Sequence, residues 1–260
     1  MSRYYRSFLE ESGSAYTTRT TAFAAATGIA DTTILNALNT FDTGLISNGL
    51  DTKMKALYPF VGGTASTHKY NFMDARDLDV AFRLTFNGGW THASTGALPN
   101  GTNAYANTFW IQRDFPDTNN NTSIGFYSGT NTDGNCDMGA FLGTAYYLSS
   151  KRTGNFAGYC QSLDTYSEVT NSNGSGFFVL SRTESSKIAM YKNGTLLSNP
   201  SNTSRGGLVM TQLQLSAYNS GNFGSKEHRL SFISEGLTNA EASNFYTAVQ
   251  AFQTTLSRQV

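Results

Sequence analysis

From about Lys53 onward, apolar and polar residues alternate with a period of two, and turn residues interrupt the alternation every eight to twelve positions or so. That pattern predicts a succession of short strands, each with one buried face. Leu78, Val80, Phe82, Leu84 and Phe86 alternate against Asp79, Arg83, Thr85 and Asn87, which predicts one long strand that buries the first set and ends at Gly88-Gly89. Met54, Ala56 and Tyr58 make a shorter run, stopped by Pro59 and Gly62-Gly63. Residues 104–111, 123–127, 138–142 and 176–181 read as further strands, and Leu213, Leu215 and Ala217, then Leu230 and Phe232, alternate in the same way. Asn193-Gly194 separates two alternating runs within residues 188–197. Asn-Gly accepts the positive φ angles of a type I′ turn at low cost, so this stretch is a hairpin.

The two ends of the chain read as helix instead. Residues 17–26 are rich in Thr and Ala, and Gly28 stands where such a helix stops. Asp31 offers an N-cap to a second helix in which Ile34, Leu38, Phe41 and Leu45 form one apolar stripe, ended by Gly49. That stripe needs a partner, either the strands or another subunit. Near the C-terminus, Thr238 and Glu241 have the spacing of a capping box, and Phe245, Val249, Phe252 and Leu256 form a second stripe. It is expected to dock on its own domain, because a coiled seam of under three heptads is marginal alone.

Many short strands without βαβ alternation predict a mainly β protein, an antiparallel two-sheet sandwich with a short N-terminal helical segment and a C-terminal helix packed on it. At 260 residues the chain suits one large β domain with additions. We divide it into residues 1–52, an arm with short helices for attachment or oligomerisation, and residues 53–260, the sandwich with its helix.

Composition removes several classes of partner. Eighteen basic and eighteen acidic residues give a net charge of +0, so nothing steers the molecule to nucleic acid or an anionic membrane. Only 14% of residues are charged, and Asn, Thr, Ser and Gly supply the surface that a turn-rich β protein needs. The first residues lack the apolar core of a signal peptide, and no run approaches the ~20 apolar residues of a spanning helix. A soluble protein without a secretion signal is therefore expected, with the Asn-x-Ser/Thr triplets at Asn100, Asn121 and Asn173 unmodified. Cys136 and Cys160 are expected as two separate buried thiols, pairing being open because it depends on the approach of their Cα atoms.

The search for chemistry assigns no catalytic residue, metal ligand or cofactor site. A glycanase needs two carboxylates flanking the scissile bond. Asp77 and Asp79 have a suitable spacing but alternate with Leu78 and Val80 and so face solvent, while Glu227 and Glu235 are separated by a strand. His68, His92 and His228 lie far apart without metal-ligand spacing and read as polar or partly buried residues. Asp133-Gly134-Asn135-Cys136-Asp137 resembles a fragment of a calcium loop but lacks its later bidentate Glu. No phosphate loop or nucleophile elbow occurs. The protein is thus not expected to be an enzyme. Sugar contact is the remaining chemistry, since Trp90, Trp110, Tyr105, Tyr146, Tyr147, Tyr159 and Tyr166 are available for stacking and the loops are full of Asn. Trp90 and Trp110 lie beside or in strands and are expected in the core.

Several segments resemble a recurrent domain of tailed-bacteriophage structural proteins. They are Tyr58-Pro59-Phe60-Val61-Gly62-Gly63, Thr67-His68-Lys69-Tyr70-Asn71-Phe72, residues 82–92 and 99–106, and the ending from Gly236-Leu237-Thr238-Asn239-Ala240-Glu241 to Arg258-Gln259-Val260. The hairpin Met190-Tyr191-Lys192-Asn193-Gly194-Thr195 resembles the strand pair of concanavalin A-like and laminin G-like modules. The resemblance spans roughly residues 53–260 and implies a concanavalin A-like jelly roll carried on a phage tail, fibre or capsid surface. It implies a virion structural protein, a fibre or a head or tail decoration with an outward-facing lectin-like module. The alternative is an adsorption module that recognises host surface glycans, and the third reading is a glycan-cleaving enzyme. Residues 1–22 match nothing in that family and are expected to bind other virion proteins. A homo-oligomer, with a trimer as the specific expectation, follows from the symmetry of such assemblies.

Overall fold

A computed structural model of the chain describes residues 16–142, 144–162, 167–204, 206–219 and 221–260. The first fifteen residues of the expected attachment arm and Tyr166 lie outside the described residues. The chain opens with α1 (Thr18–Thr27) and α2 (Thr32–Ser47), then β1 (Met54–Tyr58), the single turn α3 (Ala65–His68), β2 (Thr85–Asn87), β3 (Trp90–Ala93), β4 (Gly96–Pro99) and β5 (Tyr105–Ile111). There follow β6 (Thr122–Ser128), β7 (Met138–Leu142), β8 (Thr144–Arg152), β9 (Asn155–Cys160), β10 (Ser167–Thr170) and β11 (Gly176–Arg182). β12 (Ala189–Lys192), β13 (Thr195–Ser198), β14 (Gln212–Leu215), β15 (His228–Ser234) and α4 (Asn239–Thr255) complete it.

The strands form two antiparallel sheets. One has eight strands in the order β13-β12-β11-β6-β15-β4-β3, with β1 also paired to β15, and the other has seven in the order β10-β9-β8-β7-β14-β5-β2. Their facing sides make one core in which Phe126, Phe178, Leu180 and Ile233 from the first sheet meet Trp110, Met138, Tyr146, Leu148 and Phe156 from the second. This is the mainly β two-sheet sandwich that the alternation predicts.

A third layer covers the outside of the eight-stranded sheet. Phe23 of α1, Leu38 and Phe41 of α2, and Phe245, Val249 and Phe252 of α4 cluster with Tyr127, Phe177, Val179 and Phe232. β6 and β11 are consequently buried at every position, which explains the unbroken apolar run Phe177-Phe178-Val179-Leu180. Phe245 sits 4.8 Å from Phe232 and 5.3 Å from Phe177 in edge-to-face contacts, and Phe41 stacks on Phe252 at 5.2 Å. Each such ring, fully buried, contributes roughly 1.5–3 kcal/mol. Both apolar stripes thus find their partner within the chain.

Local chemistry fixes the helix ends. Asp31 accepts the Thr33 and Ile34 amides, Gly28 ends α1 at φ 71°, and the Thr238–Glu241 capping box forms in both directions. The Asn193-Gly194 turn has φ values of 49° and 72°, as a type I′ hairpin requires.

One predicted strand is wrong. Asp79–Ala81 form a 3₁₀ turn, Phe82 takes φ 58°, and only Thr85–Asn87 is extended. Leu78 and Val80, expected inside, are 49% and 73% exposed, while Ala81 is buried in their place and Leu84 is buried as expected. Asp79 pairs with Arg83 at the i, i+4 spacing of a helical turn, and Arg83 also reaches Asp77, so ion pairing supports the turn over the strand.

Candidate functional site

The outer face of the seven-stranded sheet carries no helix among the described residues. Tyr146 and Leu148 of β8 point into the sandwich, so Tyr147 between them points out. The registers place Tyr159, Tyr147, Gly139, Gln214, Asn107 and Thr85 side by side across six strands. Two phenol rings, a bare glycine, two amides and a hydroxyl therefore form one row. Gln214 Nε2 donates to Asn107 Oδ1 at 2.9 Å.

Residues 216–219 and 221–224, between β14 and β15, fold over this row. A Cβ at Gly139 would lie 2.6 Å from Cys136 Sγ and 3.0 Å from both Ala217 O and the Tyr218 ring, so glycine is what lets that segment approach. Tyr218 then roofs the row. Its ring meets Tyr147 edge-on at 5.9 Å, and its hydroxyl accepts from Tyr159 at 3.0 Å. Phe141 stacks on Tyr218 at 5.7 Å and is 37% exposed. Asn219 holds Phe141 in place, accepting its N–H at 2.9 Å and donating to its carbonyl at 2.7 Å. On the same face Tyr105 stacks on Phe223 at 6.4 Å, both half-buried. Such a surface can stack on the C–H faces of sugars while Asn107 and nearby loop amides meet hydroxyls.

The aromatic candidates separate cleanly. Trp110 and Tyr146 are buried in the sandwich core. Trp90 is half-buried at its margin, its Nε1 donating to the carbonyls of Asn87 and Tyr105. Tyr105 is half-exposed on the outer face, whereas Tyr147 and Tyr159, expected to be available for stacking, are buried there beneath Tyr218. Phe141, Tyr218 and Phe223 escaped the sequence reading, although the aromatic pair bracketing the turn residues of positions 218–223 is a signal that finds two of them.

Carboxylates do not converge there. Asp77 is bound by Lys69 at 2.5 Å and Arg83 at 3.0 Å, and Asp79 by Arg83 at 2.8 Å. Glu227 pairs with Arg229 at 2.8 Å and Glu235 with Lys55 at 2.9 Å. In the loop fragment resembling a calcium site, Asp133 accepts the Gly154 amide at the surface, whereas Asp137 turns inside. There Asp137 accepts the Ser150 N–H and hydroxyl on one oxygen and faces the buried Lys226 ammonium at 3.2 Å on the other. A lysine side chain holds the place of a counter-cation. Cys136 and Cys160 are both free and buried, in different clusters, and burial pushes the Cys160 thiol up to about 12.

The three histidines, distant in sequence, do converge around Phe60, Phe86, Trp90 and Phe126. His68 Nδ1 lies 2.9 Å from His92 Nδ1, and His228 is held between the Ser216 and Ser231 hydroxyls at 2.8 Å each. Burial lowers His68 to about 3, with positive charge on His92 and Arg258 adding to the effect, and lowers His228 to about 3, with Lys226 adding. Among the described residues no group of three or more His, Cys, Asp or Glu is placed to hold a metal ion.

These features define an antiparallel β-sandwich with one open aromatic face, and solved structures resemble it in fold. A Trypanosoma rangeli sialidase in complex with sialic acid superposes with a TM-score of 0.54 at 11% identity, over 74% of this chain and 32% of that one. The HCR/D F1240A mutant superposes with a TM-score of 0.51 at 11% identity, over 76% of this chain and 52% of that one. Domain 4 of AbnA, an extracellular arabinanase from Geobacillus stearothermophilus, in complex with arabinotriose, gives 0.47 at 11% identity, over 74% of this chain and 98% of that one. This chain therefore spans about half of the HCR/D chain and a third of the sialidase chain. No family model matches the sequence, and no curated protein does. At such identities the likeness is one of fold.

Proposed function

We propose that this chain is a carbohydrate-binding attachment module, non-catalytic, that recognises host surface glycans from a phage particle. The observation that carries the glycan reading is the asymmetry of the sandwich. One sheet is sealed by α1, α2 and α4, while the other turns Phe141, Tyr218, Tyr105 and Phe223 outward beside Asn107. The carboxylates considered for cleavage are each engaged by Lys or Arg, which supports binding without hydrolysis. The virion setting, with the chain as a fibre or decoration protein, rests on the resemblance of residues 53–260 to phage structural domains.

A host-polysaccharide array tests the binding. We expect saturable binding of at least one surface glycan, weakened tenfold or more in the Phe141→Ala/Tyr218→Ala double variant with its melting temperature nearly unchanged. Binding to no glycan overturns the reading. Peptide mass spectrometry of purified particles tests the setting, and absence of the chain from them removes it.

A further inference from the structure

Across the sandwich from the aromatic face, the helix layer contains a cavity of about 530 Å³ between α1, α2 and the segment at Phe72–Arg76. Its volume lies in the range of small-molecule sites. Asp42 of α2 lines it with a side chain only 1% exposed. Asp42 Oδ1 accepts from Arg19 Nη1 at 2.5 Å, but Oδ2 has no hydrogen-bond partner. Among the described residues, Asp42 is the one charged side chain with such an orphaned buried atom. A buried carboxylate oxygen without a donor is costly and calls for a reason.

The surrounding charges say what is missing. Arg19 Nη2 also serves Asp51 at 3.2 Å, so one guanidinium is divided between two carboxylates and the group carries a formal charge of −1. At the rim, Asp74 and Arg76 neutralise each other through a bidentate pair. The remaining wall is mostly apolar, with Phe72, Met73 and Ile46, the last 49% exposed at the surface, and Thr17 and Thr18 at one end. A water molecule supplies a donor to Oδ2 but no charge. A hard metal ion wants six or more oxygen ligands with several carboxylates among them, and no cluster of three acidic side chains stands here among the described residues. A cation on an aliphatic stem supplies the donor, the charge and the apolar contact together.

We propose that this cavity binds an alkylammonium or alkylguanidinium group, its head on Asp42 Oδ2 and its methylenes along Phe72, Met73 and Ile46. The head belongs either to a free diamine or amino acid, or to a Lys or Arg side chain of a bound protein. The proposal is independent of glycan binding on the opposite sheet.

The test is calorimetric or NMR titration of the full chain with cadaverine, Nα-acetyl-lysine methylamide and Nα-acetyl-arginine methylamide, using 1-pentanol and pentanoate as neutral and anionic controls. Saturable one-site binding of a cation, at least tenfold tighter than either control, is the expected result. Cadaverine binding best identifies a free diamine as the source, and the capped amino acids binding best identify a protein side chain. Asp42→Asn should weaken the preferred cation tenfold or more. If that variant does not fold, Ile46→Trp, which narrows the mouth from a surface position, should do the same. Wild-type protein that binds no cation, or binds pentanol equally well, overturns the proposal, as does full affinity in a folded Asp42→Asn or Ile46→Trp variant.

Discussion

The two sheets of this sandwich share one core yet treat their outer faces differently. On the eight-stranded sheet, Phe177 and Val179 of β11, Leu230 and Phe232 of β15 and Tyr127 of β6 face outward, and three helices seal them with Phe41, Phe245 and Phe252. On the seven-stranded sheet the corresponding positions hold Tyr159, Tyr147, Gly139, Gln214 and Asn107, and a loop with tyrosine and asparagine lies over them. The first face has only burial to gain. The second buries that row in part but keeps Phe141, Tyr218, Tyr105, Phe223 and Asn107 at the boundary with water, an arrangement that adds little stability and suits reversible contact with a polar ligand.

The contrast is most strongly tested on the covered face. Phe245→Ala should cost about 3–5 kcal/mol in urea denaturation, because it opens a cavity among Phe177, Phe232 and Phe41, and should leave glycan affinity within twofold. A loss of under about 1 kcal/mol would mean that the helix layer is loosely held.

Acid should weaken the fold through its buried histidines. His68 and His228, lowered to about 3 in the fold, are neutral there while the unfolded chain takes up protons below about 6.5. Stability is thus complete above pH ~6.5 and falls as the pH drops toward 3, by several kcal/mol in order of magnitude for the two together. Denaturation midpoints between pH 7.5 and 5.5, above most carboxylate titration, measure the slope, and His228→Gln should flatten it.

The open face should show the reverse signature. Phe141→Ala/Tyr218→Ala is expected to cost roughly 1 kcal/mol, since Phe141 is already partly exposed, while glycan binding falls tenfold or more. Equal losses of stability and binding would make the tyrosine cluster simply another part of the core. Smallest of all, Val80→Ser should change stability by no more than about 0.5 kcal/mol. A cost above about 2 kcal/mol would restore the buried strand that alternation predicted there.

What the sequence made legible follows from how local the determining chemistry is. Asn193-Gly194, the Thr238–Glu241 box and Asp31 each act within a few residues, and all three formed as read. Residues 78–86 misled because alternation there is matched by i, i+4 ion pairing, and Phe82 accepts a left-handed φ that no period reveals. β8 and β9 were missed for another reason. Thr144 to Ser150 and Phe156 to Cys160 are covered on both sides, so their mixed Tyr, Ser and Ala pattern lacks the polar contrast that marks a half-buried strand. At the candidate site Tyr105, Tyr147 and Tyr159 were in view, but their shared face is not. It exists only because the chain leaving β14 brings Tyr218 and Asn219 back over β7, a contact between residues some eighty positions apart.

Lys226 gives this module a further property. An attachment loop organised by bound calcium releases its shape whenever the surroundings run short of the ion. Here the positive charge facing Asp137 is fastened to the chain itself and sealed from solvent, so its local concentration never falls. Excess chelator should therefore leave the melting temperature as it was, and with it the glycan binding proposed above.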